Sequence, residues 1–234
     1  MYHSRLLAAE DRRPLPIAVP PPSPGTLDDL ERATANDVVL ARGDHLFTAG
    51  QTGGGAFTVL SGALVLCRSL PDGRRQIVDL VGPGRLVGLA EGVVRASTAT
   101  ALVRTRLRPL RRPSPEAIAA ELATCLARHH AHAVLLGRKT ALEKVASALL
   151  ELAALFGSRW PEETIDGPSF VLPMTRSDLG DWLGLVIETV SRALGELQRR
   201  GLVVIERTDV VHLVDPAGLA ALSGDRLVRR ADLA

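Results

Sequence analysis

The sequence predicts an α+β protein in which a compact antiparallel barrel or sandwich is followed by a long helix and a C-terminal winged helix-turn-helix. Three observations support this prediction. Short apolar runs separated by Gly, Asp and Pro fill residues 37–110, and helical periodicity begins at Ser114. Near the C-terminus, two short helical segments with a glycine between them precede two β-like runs.

Six short apolar runs define the predicted strands: VVLA, AFTVL, ALVLC, QIVDLV, RLVGLA and TALVRTRL. They recur at intervals of eight to twelve residues, which is typical of a small antiparallel barrel or sandwich. Gly43-Asp44, Ser61-Gly62 and Asp72-Gly73 lie between runs. Each pair supplies a residue that tolerates positive φ, so we expect hairpin turns there.

Composition argues against several classes of protein. Hydrophobic residues make up 46% of the 234, and no apolar run reaches the about 18–20 residues that span a bilayer. Residues 1–24 mix charges and prolines without the apolar block of a signal peptide. Cys67 and Cys125 lie far apart with no CxxC spacing, so neither a disulfide framework nor a zinc site is indicated. We expect a cytoplasmic protein with no membrane partner and no metal site.

Charge identifies no functional site. The net charge of +2 and the pI near 8.8 suit nucleic-acid binding, but many proteins without that role share them. Residues 173–212, which contain the predicted helix-turn-helix, carry five Arg against six Asp and Glu. A prediction of DNA binding therefore has to come from residue pattern.

The helical region begins with Ser114 as a possible N-cap, followed directly by a proline. A repeat with spacings of four, three, four and three then follows, as in a two-stranded coiled coil: Leu122, Leu126, His129, Ala133 and Leu136. An ordinary amphipathic helix packed on its own barrel explains the same spacing. Gly137 predicts a hinge, after which we expect a second helix over 139–156 and a loop over 157–167.

The helix-turn-helix prediction starts at Thr175, which can cap a helix with Asp178 as the capping-box acid. Gly184 supplies the turn, and a second helix runs from Ile187 to Arg200. Its apolar face contains Val190, Leu194 and Leu197, and the opposite face contains Glu188, Ser191, Arg192, Gly195 and Arg199. The runs LVVIE and VVHLV predict a wing hairpin.

A helix held by its apolar face can insert the other face into the DNA major groove. We predict base contacts from Glu188 to cytosine N4 and from Arg192 to guanine O6 and N7, with Ser191 between them. The predicted contacts to the DNA backbone are Thr175, Arg176, Thr189 and Arg199. A helical hairpin with a solvated face, or a winged helix that contacts protein, is the alternative.

At these residues the chain resembles the Crp/Fnr family of bacterial transcription regulators, over about residues 37–223. The segment LPMTRSDLGDWLGLVIETVSRALGELQRRGLV is similar to the Fnr branch, whose recognition helix carries Glu-x-x-Ser-Arg and whose palindromic sites have TTGAT-like half-sites. The resemblance implies a β-roll of the cyclic-nucleotide-binding type. The predicted domains are a flexible arm at 1–30, indicated by its many prolines, a β-roll sensor at 31–112, a dimerisation helix at 113–137 and a winged helix-turn-helix at 138–234.

The chain departs from the family at its known ligand sites. Members that bind cyclic AMP have Gly-Glu and Arg-Ser pairs, where this chain has Gly88-Leu89 and Ala96-Ser97. Arg95 is one position away, and a buried Leu89 cannot accept from a ribose hydroxyl, so we expect no cyclic AMP in the usual site. The N-terminal cysteines that hold the Fnr iron–sulfur cluster are missing. Haem stays open, with His3, His45, His129, His130 and His132 as candidate axial ligands.

The predicted function is a dimeric, sequence-specific transcription regulator, an activator by analogy, with double-stranded DNA, a second copy of itself and RNA polymerase as partners. A small-molecule sensor or scaffold is the alternative. No paired carboxylates, nucleophile elbow or phosphate loop indicate an enzyme. Two His129 side chains would face each other in the dimer, and their protonation would then weaken the dimer by charge repulsion. The alternative is that His129 stays neutral and only fixes the register of the two helices. We interpret Cys67 and Cys125 as packing thiols, with redox sensing as the alternative.

Overall fold

Eight strands form two four-stranded antiparallel sheets that share one core. The computed structural model describes residues 37–89, 94–157, 168–206 and 209–224. The sheet orders are β1-β8-β3-β6 and β2-β7-β4-β5, and the strands are β1 Val38–Leu40, β2 His45–Phe47, β3 Ala56–Ser61, β4 Leu64–Ser69, β5 Arg75–Val81, β6 Leu86–Val87, β7 Thr98–Ala101 and β8 Thr105–Leu110. Val59 of the first sheet and Leu64 of the second are fully buried in the same apolar cluster. This double sheet confirms the predicted antiparallel β-roll.

The predicted turns have positive-φ glycines, but only one of them makes a hairpin. Asp72-Gly73 joins β4 to β5, which pair within one sheet. At Gly43-Asp44 and Ser61-Gly62 the chain instead crosses from one sheet to the other, so the hairpin prediction is wrong at both. A Cβ on Gly62 would lie 2.5 Å from the carbonyl oxygen of Arg104. Turn chemistry is the same whether a chain returns to its sheet or crosses to the next, which explains the error.

The strand prediction also missed two features. The short strand β2 was absent from the predicted set, because three residues give too little alternation to recognise. The run TALVRTRL predicts one strand, but β7 ends at Ala101 and β8 begins at Thr105 in the other sheet. Leu102 in the connection is buried, so its hydrophobicity hides the turn.

Two long helices follow the β-roll: α1 Pro115–Arg138 and α2 Ala141–Phe156. The Ser114 side chain caps α1 as predicted. The predicted hinge at Gly137 is wrong, because α1 continues through Gly137, and the break comes at Lys139 and Thr140. One glycine costs a helix only about 1 kcal/mol, whereas the capping box of Thr140 and Glu143 fixes the start of α2.

The C-terminal part consists of β9 Ser169–Val171, α3 Arg176–Leu183, α4 Ile187–Arg199, β10 Val203–Glu206, β11 Val210–Leu213 and α5 Pro216–Ser223. β10 and β11 form the predicted wing, and the unpredicted β9 adds a third strand beside β11. The predicted arm at 1–30 and nearly all of the predicted loop at 157–167 lie outside the described residues. The α+β class and its order of parts are confirmed.

One apolar core joins the two halves of the chain. Val65, Ile77 and Leu80 of the β-roll belong to the same buried cluster as Leu149 of α2 and Trp182 of α3. The sheet β2-β7-β4-β5 therefore packs on the helices of the C-terminal part. No helix within the described ranges has the length and apolar character needed to cross a membrane.

Candidate nucleic-acid interface

The turn between α3 and α4 is fixed by caps and by a close backbone approach. Thr175 caps α3, and the Asp178 carboxylate accepts from the Thr175 N–H, which confirms the predicted capping box. Gly184 ends α3 with φ 63°. Gly180, which is not among the predicted site residues, also matters here, because a Cβ at this position would lie 2.5 Å from the carbonyl oxygen of Leu185. A glycine inside a predicted helix was the available signal for this close approach.

Helix α4 has one buried face and one exposed face. Val190, Leu194 and Leu197 are at most 2% exposed, and α4 packs on α2 and α3. Glu188 and Arg192 are exposed on the other side. The helix therefore has the amphipathic form that the sequence predicts, with the proposed base-contacting side chains directed away from the core.

The structure brings six of the seven predicted DNA contacts into one region, the first turn of α3 and the first half of α4. Arg176 Nη1 donates to Ser191 Oγ at 3.3 Å, which links a predicted backbone contact to a predicted base contact. Arg192 Nη2 donates to Thr189 Oγ1 at 3.2 Å. Each of the two arginines therefore donates one hydrogen bond to a hydroxyl group of α4.

Arg199, the seventh predicted contact, lies in the last turn of α4. Its Nη2 is 2.6 Å from Glu196 Oε2, and Arg200 Nε is 2.8 Å from the other oxygen of the same carboxylate. These hydrogen bonds, first that of Arg200 and then that of Arg199, lower the pKa of Glu196. Glu196 did not figure in the sequence analysis. It offsets positive charge at this end of α4, so Arg199 is the least supported of the predicted phosphate contacts.

Helix α1 presents two different faces. Glu121, Cys125 and Arg128 contact the β-roll of their own chain, whereas Leu122 and Leu126 are 57% and 58% exposed. His129 and Ala133 are exposed as well. Four of the five predicted dimer residues thus form an exposed stripe.

Leu136 is the exception among the predicted dimer residues. It is only part-exposed, and it packs against the apolar core of its own chain. A Cβ on Gly184 would lie 3.3 Å from Leu136 Cδ2. The exposed stripe therefore ends at Ala133, because the next predicted dimer residue, Leu136, packs against its own helix-turn-helix.

A buried charge network connects the β-roll to both long helices. Arg85 is 7% exposed, and it donates to Glu121 Oε1 from Nε at 2.8 Å and to Asp79 Oδ2 from Nη2 at 3.0 Å. Arg128 Nε donates to the other Asp79 oxygen at 2.8 Å, and Arg128 Nη2 donates to Glu151 of α2. No local pattern in the sequence indicates this network, because its members are up to 72 positions apart.

This network predicts a pH dependence of stability. Burial alone would raise the pKa of Asp79, but Arg128 and Arg85 lower it below its ordinary value. The unfolded chain therefore binds the proton more readily, so stabilisation by Asp79 is complete above about pH 4–5 and is lost as the pH falls through the folded-state pKa. In urea unfolding, the gap in free energy of unfolding between the native sequence and Asp79→Asn should narrow from pH 5 to pH 3. A constant gap would contradict this assignment.

Arg95 lies next to Ala96 and Ser97, which stand where the resemblance implies an Arg-Ser pair in members that bind cyclic AMP. Its Nη2 donates to the carbonyl oxygens of Gly53, at 3.0 Å, and Gly54, and its guanidinium carbon is 4.5 Å from the centroid of the Phe47 ring. Arg95 is 5% exposed, so its side chain is occupied by its own β-roll. The expectation that Leu89 is buried is wrong, because this side chain is part-exposed at the edge of the described segment.

Both thiols have raised pKa values. Burial, and then a hydrogen bond to Glu121, raise the pKa of Cys125 to about 11. Burial also raises the pKa of Cys67. Thiols that stay protonated at neutral pH are poor nucleophiles, which agrees with a packing role. Within the ranges that the structure describes, no three His, Cys, Asp or Glu side chains are arranged to hold a metal ion.

Two family models match the chain in the order of its domains. The cyclic nucleotide-binding domain model matches residues 37–121, which cover the β-roll and the start of α1. The Crp-like helix-turn-helix domain model matches residues 143–222, from α2 to α5.

Curated relatives match over most of their length. The nitrogen fixation regulation protein FixK of Rhizobium meliloti (strain 1021) is 32% identical over 77% of this chain and 83% of its own. The transcriptional activator protein anr of Pseudomonas aeruginosa is 32% identical over 86% of each chain. The solved structure of FixK2 from Bradyrhizobium japonicum is 31% identical, covers 84% of this chain and 100% of its own, and has a TM-score of 0.69. The chain is a member of the Crp/Fnr family of transcription regulators.

Proposed function

We propose that this regulator binds DNA as a homodimer at palindromic sites with TTGAT-like half-sites and acts as an activator. The observation that carries the proposal is the exposed face of α4, where Glu188, Ser191 and Arg192 lie opposite the buried Val190 and Leu194. The half-site sequence comes from the similarity of these three residues to the Fnr recognition helix.

The base contacts follow from side-chain chemistry. Arg192 has the planar fork that pairs with O6 and N7 of guanine, and Glu188 can accept from N4 of cytosine. Arg176, which donates to Ser191, and Thr189, which accepts from Arg192, are the proposed phosphate contacts beside these base contacts. Val186 supplies no side-chain cap to α4, so N–H groups at this end of the helix are available to a phosphate.

The exposed stripe on α1 supports the homodimer. Leu122 and Leu126 expose more than half of their surface at heptad spacing, and a second copy would cover them. Two recognition helices must also lie about one helical turn of DNA apart to meet two half-sites. In such a dimer the His129 pair would face across the axis, and its pH sensitivity stays a prediction.

We propose that the β-roll binds no cyclic AMP in the manner of its relatives, since Leu89 offers no carboxylate and Arg95 is bound to backbone carbonyls. Haem binding is the alternative that an absorption spectrum would detect. We further propose that the chain has no catalytic activity, contacts RNA polymerase and works in the cytoplasm, where bacterial DNA lies.

The test of DNA recognition is the variant Arg192→Ala. Loss of one bidentate pair in each half-site should weaken binding to a duplex with two TTGAT half-sites by about 1–3 kcal/mol per half-site, which is about 2–6 kcal/mol for the dimer and roughly thirtyfold to 10⁴-fold. Discrimination should relax at one base pair per half-site. Fluorescence anisotropy against a set of single-base variants of the duplex measures both effects.

The matched control for this test is Arg176→Ala, which changes a predicted phosphate contact. It should weaken binding to all duplexes alike and reduce the slope of log K against log salt by about 0.9 per protomer. If Arg192→Ala leaves affinity and base preference unchanged, the chain is better described as a sensor or scaffold whose DNA contacts are secondary.

A further inference from the structure

A single arginine of the β-roll contacts the first helix of the helix-turn-helix. Arg75, the first residue of β5, places Nη2 at 2.6 Å from Asp181 Oδ2 and at 3.1 Å from Asp178 Oδ1. Beside it, Gln76 Nε2 donates to the carbonyl oxygen of Trp182 at 3.0 Å. The β4–β5 hairpin is thus fastened to α3 by two adjacent side chains.

The two carboxylates occupy a sensitive place for a DNA-binding protein. Asp178 is the capping acid of α3, in the same turn as the predicted phosphate contacts Thr175 and Arg176. Asp181 lies one turn further along the same helix. Both side chains are about a quarter exposed, at 26% and 23%, so solvent does not fully screen them. Carboxylates this close to a phosphate path would repel DNA unless a cation neutralises them.

Within the described part of the helix-turn-helix, no arginine is paired with Asp178 or Asp181. Residues 173–212 contain one more acidic residue than arginines, and two of those arginines, Arg199 and Arg200, are paired with Glu196 at the far end of α4. Arg75 comes from the other domain, 103 positions before Asp178. The β-roll therefore places the positive charge of Arg75 beside α3.

We propose that Arg75 is a positioning residue for DNA binding: it neutralises Asp178 and Asp181 and holds α3 at the angle at which Thr175 and Arg176 meet phosphates. The inference rests on the proposed DNA-binding function and deepens it. If Arg75 has this role, the affinity for DNA depends on the position of the β4–β5 hairpin relative to α3. The β-roll can then affect DNA recognition through this contact.

The first arm of the test measures DNA affinity of the full chain across a salt series. Arg75→Gln should weaken binding to the palindromic duplex about fivefold at 50 mM salt. The loss should shrink toward 300 mM, because salt screens the exposed carboxylates. The control Arg74→Gln removes the same charge from the same hairpin, but Arg74 is paired with Asp72 and is 76% exposed, so less than about a twofold change is expected.

The second arm adds Asp181→Asn, which changes a residue outside the capping box. If Arg75 acts through Asp181, this substitution should restore most of the affinity of Arg75→Gln but change the affinity of the native chain little. Equal effects of Asp181→Asn in both backgrounds would mean that Arg75 contacts a phosphate directly. A loss that is the same at every salt concentration would mean a purely structural role. Either result overturns the inference.

The third arm uses no DNA, so it separates this inference from the proposed function. Amide hydrogen exchange along α3 should be faster in Arg75→Gln than in Arg74→Gln, because one tether of the helix is lost. Unchanged exchange overturns the positioning role. Failure of the native chain to bind any palindromic duplex would instead reject the proposed function, while exchange would still decide whether Arg75 positions α3.

Discussion

Replacing Arg85 by alanine is expected to lower the free energy of unfolding by about 3–5 kcal/mol, since removal of one partner leaves buried charges uncompensated. Glu121 and Asp79, at 7% and 4% exposed, would lose their shared cation. Glu121 Oε2 also accepts from the Leu86 N–H at 3.0 Å, so the disturbance reaches β6. Urea unfolding followed by circular dichroism at pH 7 measures the change.

Two further variants make this test specific. Arg74→Ala removes an exposed arginine whose partner, Asp72, lies two positions away, and it should cost less than about 1 kcal/mol. The double variant Arg85→Met with Glu121→Leu should be more stable than Arg85→Ala, because one of the unpaired charges is gone. An Arg85→Ala protein as stable as the Arg74→Ala protein would show that the network contributes little.

Leu126→Glu is expected to convert the proposed homodimer to monomers at micromolar concentration. A dimer buries two copies of this side chain, each worth about 1.5–3 kcal/mol, so the dissociation constant should rise by about two to four powers of ten. The added carboxylates would also meet at the two-fold axis. Sedimentation velocity measures the dimer fraction, and binding to the palindromic duplex should fall with it.

The control for the dimer prediction lies on the same helix. Val134 is 53% exposed, close to the exposed fraction of Leu126, but it lies outside the heptad positions. Val134→Glu should leave the dimer intact, because the new charge stays in solvent. If both variants dissociate alike, the interface is wider than the heptad. If neither does, α1 is not the dimerisation helix.

Local signals in the sequence were sufficient to predict the helix-turn-helix. Thr175 and Asp178 form the predicted capping box, Gly184 has the left-handed conformation that ends α3, and Val190 is buried at the predicted face of α4. Each of these features depends on residues within one or two helical turns. Sequence pattern records such short-range relations directly.

Long-range pairings could not be predicted in the same way. Nothing near Gly62 distinguishes a hairpin from a crossing between sheets, and nothing near Arg75 points to Asp181, 106 positions later. Arg95 was considered only as a substitute ligand contact, whereas its partners are the carbonyls of Gly53 and Gly54. These contacts depend on which strands become neighbours, and that is decided by the whole fold.

The shared apolar core has a consequence for how the protein assembles after synthesis. The predicted boundary at 137/138 separates two predicted functions, but Val65 and Ile77 are buried together with Leu149, a residue of the C-terminal half. In a nascent chain whose β-roll has left the ribosome, the apolar face of one sheet would stay exposed to solvent until α2 has been synthesised and packs on it. Cleavage of the chain at that boundary would expose apolar surface on both fragments, so we expect them to aggregate and not to behave as independent domains.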